Sequence, residues 1–381
     1  MTRIGCLGGG QLGRMLALAG YPMGLSFTFL EPASNSSAGQ VGEQLVGPYD
    51  DPELLARLGA DSDLVTFEFE SVPEQSARAI LSHSPVFPPP GALLLGQDRL
   101  LEKRLFERLG IQAAEFAAVD TLGDLDRAID QVGLPARLKT RRLGYDGHGQ
   151  ARITEREEAE FAWDKAGGLP SILEREVGFD RELSILGVRS TAGEVALYPL
   201  TQNHHQDSIL RLSLAPAPGI GSQLQASAEE ICRLILEELA YQGVLAVELF
   251  QVGERLFANE IAPRVHNSGH WTMNGAATSQ FENHLRAGLG WKLGSTAAIG
   301  HSAMVNLLGD LPDPARVLAV AGAHLHLYGK SPRPGRKLGH VNLTGADPVA
   351  VTAASVEVAE VVGAKLPPPA DGNSFWPAPS P

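Results

Sequence analysis

Over the first hundred residues, short apolar runs alternate with segments whose apolar positions recur every three or four residues. "RIGCLG", "LSFTFLEP" and "DLVTFEFES" read as strands, because β-branched and aromatic residues fit a pleated, half-buried surface. "QLGRMLALAGYPMG", "PELLARLG" and the stretch from Pro73 to Leu81 read as helices. Alternation of the two predicts a small parallel α/β sheet, with a further short strand at "PVFP". Three consecutive prolines in "FPPPGALLLGQD" then interrupt both patterns, since proline lacks the backbone donor that either would need. Residues 1–95 are therefore expected to form a Rossmann-like parallel-sheet domain.

Beyond that point the pattern changes. Asp98 is placed to cap a helix carrying Leu101, Leu105 and Leu109, with Gly110 as its stop. Thr121-x-x-Asp124, Thr154-x-x-Glu157 and Ser227-x-x-Glu230 have the spacing of capping boxes, the last ahead of an apolar stripe of Ile231, Leu234, Ile235 and Leu239. "LPARLK" and "QARIT" enclose a glycine-rich connection, "SILEREV" and "RELSILGVR" are further strands, and "GVLAVELFQ" with "RLFANEIAP" reads as a hairpin. Antiparallel pairs mixed with helices predict an α+β domain over residues 96–290. "HSAMVNLLG", "AHLHLYGK" and "KLGHVNLTG" are strands of a small β-rich domain over residues 291–364, closed by a helix from about Asp347 to Val362. The Pro-rich stretch 365–381 is expected to be disordered.

Composition narrows the function. The 381 residues carry a formal net charge of −13, which speaks against a nucleic-acid partner or an anionic membrane surface. Cys6 lies in a strand and Cys232 in a helix, so both are expected as buried thiols, which suits a reducing cytoplasm. No leader-like segment opens the chain, and no apolar run approaches the roughly 18 residues of a membrane span.

Four features carry chemistry. Gly8, Gly10 and Gly13 satisfy G-x-G-x-x-G, and Glu31 follows eighteen positions after Gly13. That pattern suggests a nicotinamide dinucleotide, although such a turn offers its N–H groups to any anion. Second, with Gly253 to Arg255 as the turn, Glu248 faces Glu260 on one side of the hairpin, with Ala246 and Ala258. Facing carboxylates repel, so a cation should lie between them. With the amide oxygen of Asn259 they form a hard oxygen set of the kind that takes Mg²⁺ together with nucleotide phosphates. A slip of one residue would instead leave a solvated pair. Third, Lys139 ends a strand just before Gly144, Gly147 and Gly149, where backbone can approach phosphate closely. No G-K-[ST] follows, so this is not a Walker loop. Further on, Glu174 and the backbone of Arg175, Glu176 and Val177 could meet an adenine edge, and Glu182 could accept from ribose hydroxyls. Fourth, Lys330, Arg333, Arg336 and Lys337 cluster within eight positions of an acidic chain, an anion-site signal. His204, His205, His324 and His326 have no metal-ligand spacing.

"GGGQLGRM", "VTFEFE", "GYDGHGQ", "EREVGFDRE", "NEIAPRVHNSGHWT" and "GRKLGHVN", in this order, resemble the ATP-grasp ligases, and among them those that act on an aminoimidazole ribonucleotide in purine biosynthesis. The resemblance runs from Arg3 to about Leu343. It implies a Rossmann-like domain, a central ATP-grasp domain and a small C-terminal domain. It implies ATP-dependent carboxylation of 5-aminoimidazole ribonucleotide with bicarbonate, through carboxyphosphate and CO₂. Two Mg²⁺ ions held by Glu248 and Glu260, with Asn259 nearby, would accompany ATP. Arg99 and Lys139 would contact its phosphates, Glu174 to Val177 its adenine and Glu182 its ribose. Arg264, His266, Asn267 and Lys330 take catalytic roles. Gly10, Gln11, Leu12, Tyr145, Asp146, Lys330 and Arg336, with Glu68 or Glu70, border the ribonucleotide. Family members are commonly homodimers. The chain departs from the pattern at Leu143, where a glycine is usual, and at His148, where an arginine is usual. A glycinamide ribonucleotide ligase and an NAD-linked oxidoreductase are the alternatives.

Overall fold

β1 (Thr2–Leu7), β2 (Leu25–Glu31), β3 (Glu43–Val46) and β4 (Leu64–Phe67) form a parallel sheet in the order β3-β2-β1-β4. The protein is seen here as a computed structural model that describes residues 1–142, 149–369 and 372–377. β3 had no signal in the sequence: it is four residues long and only Leu45 of it is buried. "PVFP" supplies one bridge, Val86 to Val65, rather than a strand. The proline run does not exclude a helix either. The helix Pro90–Gln97 begins on the third proline, where the missing N–H would have had no helical partner.

β5 (Phe116–Val119), β6 (Ala136–Thr140), β7 (Gln150–Ile153) and β8 (Ser171–Arg175) make a small antiparallel sheet in the order β5-β8-β6-β7. A larger sheet contains β9 (Arg181–Arg189), β10 (Val195–Leu197), β11 (Thr201–Gln206), β12 (Ile209–Ala215), β13 (Gly243–Val252), β14 (Arg255–Ala262), β15 (His301–Leu308), β16 (Ala323–Leu327) and β17 (Lys337–Gly345). Its order is β14-β13-β9-β11-β12-β15-β17-β16, with β10 beside β9. The C-terminal strands therefore continue the central sheet, Leu214 of β12 pairing with Ala303 of β15.

Helix starts follow their caps, with two corrections. Asp98 accepts from the N–H groups of Leu100 and Leu101, and Thr121 with Asp124 forms a full capping box. Ser227, however, lies inside the helix Ser222–Glu238, its hydroxyl donating to the Gln223 carbonyl at 3.0 Å. The box near Thr154 is made one residue later, by Glu155 and Glu158. Neither difference moves the site.

The N-terminal sheet is welded to the rest through the helix Gln280–Gly288. Phe27, Phe29 and Met15 share one buried cluster with Phe281, Leu285 and Trp271. His284 stitches the two regions: its Nδ1 accepts from the Val244 N–H at 3.0 Å and its Nε2 lies 3.0 Å from the Thr66 hydroxyl. The expected disorder of the Pro-rich stretch does not hold for residues 372–377. Phe375 and Trp376 are buried against β15 and the helix Pro348–Val362, and the Trp376 indole donates to the Pro216 carbonyl at 2.7 Å. Two aromatic side chains among prolines bury enough apolar surface to offset the cost of ordering the segment. Cys6 and Cys232 are free and buried.

Candidate active site

The hairpin of β13 and β14 faces its two glutamates toward each other, but by a different register from the expected one. Val252 pairs with Arg255, so the turn is the two-residue Gly253-Glu254. Continued without interruption, that register would not place Glu248 opposite Glu260. Asn259 is the extra residue of a bulge on β14, which restores the pairing of Glu248 with Glu260 and of Ala246 with Ala262. Ala258 instead pairs with Leu249 on the other face. A bulge re-aims side chains by one residue, and here it brings the two carboxylates together.

Their environments differ. His266 Nε2 lies 3.2 Å from Glu248. The low-dielectric surroundings oppose ionisation of Glu248, but His266, then His205 and Arg264, draw its pKa down to about 2. Glu260 opens to the cleft; the surrounding protein and then the facing Glu248 push its pKa up. A pair of this kind fits a divalent cation bridging to phosphate oxygens better than a closed all-protein metal cage. Among the described residues no group of three or more His, Cys, Asp or Glu could hold a metal by itself.

Beside the hairpin lies a cleft lined by Lys139, Arg137, Glu174, Arg175, Glu176, Val177, Phe179 and Phe250. Phe179 and Phe250 stack with ring centroids 4.5 Å apart. Glu174 is buried, with Lys139 Nζ 3.0 Å and Lys103 Nζ 3.4 Å from its Oε2. Burial opposes its ionisation, but the two ammonium groups hold its pKa down at about 2. Its Oε1 is buried with no hydrogen-bond partner among the described residues, an acceptor awaiting a donor. Arg137 and Arg152 both donate to the Glu176 carboxylate, at 2.9 and 2.7 Å. Arg99 reaches the Thr140 carbonyl at 2.9 Å. Glu182 on β9 pairs with His205 on the neighbouring β11. Desolvation works against the His205 cation, but Glu182, then Glu248 and Glu260, draws its pKa up. His205 thus lies in the field of the paired carboxylates, although its spacing in sequence gave no metal signal.

Arg264, just past β14, pairs with Glu70, which follows β4 in the N-terminal domain. Asn267 and Asn306 exchange side-chain hydrogen bonds at 2.9 and 3.1 Å, while Gln280 accepts from the His266 N–H at 2.8 Å. The segment Arg264–Asn267 is thereby fixed from three directions.

The glycine-rich N-terminal turn holds an anion of the protein's own. The Glu68 carboxylate accepts from the N–H groups of Gly10, Leu12 and Gly13 at 2.8, 3.1 and 3.1 Å. Glu31 accepts from the Gly9 N–H at 2.9 Å and from the Tyr49 hydroxyl at 2.7 Å. Those donors are therefore not free for a ligand phosphate, and Glu31 is already engaged by Gly9 and Tyr49. Burial raises the Glu68 pKa, with the N–H groups and Lys330 opposing. Lys330 donates to the Gln11 side chain, and its loop is pinned to the first domain by Ser37 Oγ donating to the Tyr328 carbonyl at 2.5 Å and Gln40 donating to the Gly329 carbonyl at 2.7 Å. Arg336 lies on the same loop, its guanidinium reaching the Ser331 carbonyl at 3.2 Å. Tyr145 and Asp146 lie outside the described residues, as do Leu143 and His148.

Lys103 escaped the sequence reading, His205 was passed over for want of a ligand spacing, and Glu70 entered it only as the alternative to Glu68. Lys103 could have been noticed, since Glu102-Lys103 interrupts a stripe containing Leu100, Leu105 and Phe106 that is otherwise apolar.

A cleft lined by residues of two antiparallel sheets, beside a hairpin with paired carboxylates, is the arrangement of an ATP-grasp enzyme. Family models agree: residues 1–97 match the ribonucleotide synthetase preATP-grasp domain, 104–281 the ATP-grasp domain, and 302–354 the phosphoribosylaminoimidazole carboxylase C-terminal domain. Among curated relatives, the N5-carboxyaminoimidazole ribonucleotide synthase of Pseudomonas aeruginosa is 49% identical over 362 residues, covering 95% of this chain and 100% of its own length. The crystal structure of N5-carboxyaminoimidazole ribonucleotide synthetase from Thermus thermophilus superposes with a TM-score of 0.92 at 55% identity, covering 96% of this chain and 99% of that one. The Aspergillus clavatus synthase in complex with ADP and 5-aminoimidazole ribonucleotide gives 0.87 at 29% identity, covering 95% and 98%. The chain belongs to the N5-carboxyaminoimidazole ribonucleotide synthase family of ATP-grasp ligases.

Proposed function

We propose that the protein uses ATP to carboxylate the exocyclic amine of 5-aminoimidazole ribonucleotide with bicarbonate, giving N5-carboxyaminoimidazole ribonucleotide, ADP and phosphate. The observation that carries this reading is the facing pair Glu248 and Glu260, set by the Asn259 bulge beside the Lys139–Glu174 cleft and the Arg264–Asn267 segment. The ADP and 5-aminoimidazole ribonucleotide held by the Aspergillus clavatus relative support the choice of substrates.

Arg99 and Lys139 hold the phosphates. Glu174 Oε1 accepts from the adenine amine, with the backbone of Arg175, Glu176 and Val177 along its edge, and Glu182 takes the ribose hydroxyls. Glu248 and Glu260, with Asn259 beside them, would hold two Mg²⁺ ions, which would supply positive charge to offset that of the ATP phosphates. A bicarbonate oxygen attacks the γ-phosphorus and ADP leaves. Arg264 steadies the transferring group with its forked donors, while His266 and Asn267 orient bicarbonate and then carboxyphosphate. Carboxyphosphate breaks into CO₂ and phosphate; the substrate amine attacks CO₂ and gives up one proton as the carbamate forms. Gln11, Glu68, Lys330, Arg336, Tyr145 and Asp146 border the ribonucleotide, and Gly10 and Leu12 act through Glu68.

No helix among the described residues is long and apolar enough to cross a membrane. The buried free thiols and the net charge of −13 favour a cytoplasmic enzyme of small molecules with no nucleic-acid partner, and the family resemblance favours a homodimer. Purified protein should release ADP only when ATP, Mg²⁺, bicarbonate and 5-aminoimidazole ribonucleotide are all present. ADP release unchanged by the ribonucleotide would overturn the substrate assignment.

A further inference from the structure

Lys103 is almost wholly buried, with 1% of its surface exposed. A buried ammonium is costly unless its donors are met. Its Nζ donates to the backbone carbonyl of Asn259 at 2.7 Å and lies 3.4 Å from Glu174 Oε2, with the Phe106 ring 5.8 Å away. Those two partners belong to different elements, Asn259 to β14 and Glu174 to β8. Asn259 is the bulge residue that sets Glu260 opposite Glu248, and Glu174 lines the cleft between Lys139 and Val177.

β14 is also an edge strand, and its outer backbone groups need partners. The Ala258 N–H reaches the Gln112 carbonyl at 2.7 Å. The Asn259 carbonyl is met by Lys103, and the Ile261 N–H by the buried Glu102 carboxyl at 2.6 Å. Two consecutive side chains of the helix Arg99–Arg108 thus bracket Glu260 from behind. Lys139 also donates to Glu174 Oε2, which leaves Oε1 as the oxygen without a partner.

We infer that Lys103 is a positioning residue that couples two elements of the nucleotide site, its one ammonium fixing both the Asn259 bulge behind the paired carboxylates and the Glu174 carboxylate of β8. It touches neither nucleotide nor metal. This rests on the nucleotide-site reading above, but not on the identity of the acceptor substrate.

Coupling predicts a change in base preference that a loss of stability alone would not produce. Glu174 Oε1, held as a bare acceptor, favours a base presenting an amine over one presenting a carbonyl. Lys103→Met should weaken MgADP binding by about tenfold or more, the scale of a lost charge-assisted hydrogen bond, measured by titration calorimetry on the full chain. Binding of MgGDP should change far less, so the preference for adenine narrows. Lys103→Arg, which keeps the charge, should recover part of both. Lys103→Gln keeps a neutral donor for Asn259 and drops the charge facing Glu174, and it carries the same test if Lys103→Met does not fold. Unchanged MgADP affinity, or equal weakening for both nucleotides, would overturn the proposal alone. Failure of the wild-type protein to bind MgADP would overturn the nucleotide-site reading, and this coupling with it.

Discussion

The N-terminal glycine turn and the β13–β14 hairpin are both places where sequence points to a charged ligand, and they resolve in opposite ways. At the turn, the helix N-terminus offers N–H groups and a partial positive charge, but Glu68 already meets three of them and Glu31 a fourth. At the hairpin, two carboxylates face each other with no cationic side chain paired to Glu260 among the described residues; His266 compensates Glu248 from one side. The first site is electrostatically closed and the second is not. A motif gives the donors of a site, but only its balance of charge tells whether a ligand is still wanted there.

The largest expected effect breaks that contrast at the hairpin. Glu260→Gln removes one charge of the repelling pair, so turnover should fall at least about a hundredfold, the scale of losing one electrostatic contact to a transferring group. The thermal midpoint should stay level or rise. Wild-type ADP release from this variant would contradict the assignment of Glu260.

Glu68→Ala tests the other side. With three N–H groups left without their carboxylate, unfolding in urea should show a loss of about 1–3 kcal/mol. A gain of stability would mean that the turn prefers to be empty.

The seam between the two regions should respond to acid. Burial drives the His284 pKa down to about 3 from its ordinary 6.5. The unfolded chain binds the proton first as pH falls, so stability is lost between about pH 6.5 and 3. The slope should approach about 1.4 kcal/mol per pH unit for this one residue, since the unfolded chain holds about one more proton than the folded one over that range. His284→Gln should flatten that part of the urea-midpoint profile. A profile of wild-type slope in the variant would assign the acid sensitivity elsewhere.

The smallest effect concerns the cap at Asp98, which starts the helix carrying Arg99 and Lys103. Asp98→Ala should cost about 1 kcal/mol, seen in the same unfolding experiment. A loss several times larger would mean that the helix depends on the cap far more than on its buried contacts.

Much of this architecture was legible because it is locally encoded. Periodicity placed β1, β2 and the helix Gln11–Gly20, and the caps at Asp98 and Thr121 hold as their spacing suggested. What was not legible depends on contacts far apart in sequence. The Asn259 bulge cannot be read from the hairpin itself, because its outer edge is fixed by Glu102 and Lys103 more than 150 positions away. Glu68 fills the turn from 55 to 58 positions away. The sheet joining β12 to β15 needed the same long-range view, as did the burial of Phe375 and Trp376. His205 was passed over because its partner, Glu182, lies on a neighbouring strand rather than at a ligand spacing along its own.

The central claim is that nucleotide binds between the small sheet and the β13–β14 hairpin and not at the glycine turn. Amide hydrogen exchange with and without MgADP tests it most directly. Protection is expected at residues 174–177 and around 259–261, with residues 8–13 unchanged. Protection confined to residues 8–13, with 174–177 unaltered, would contradict it.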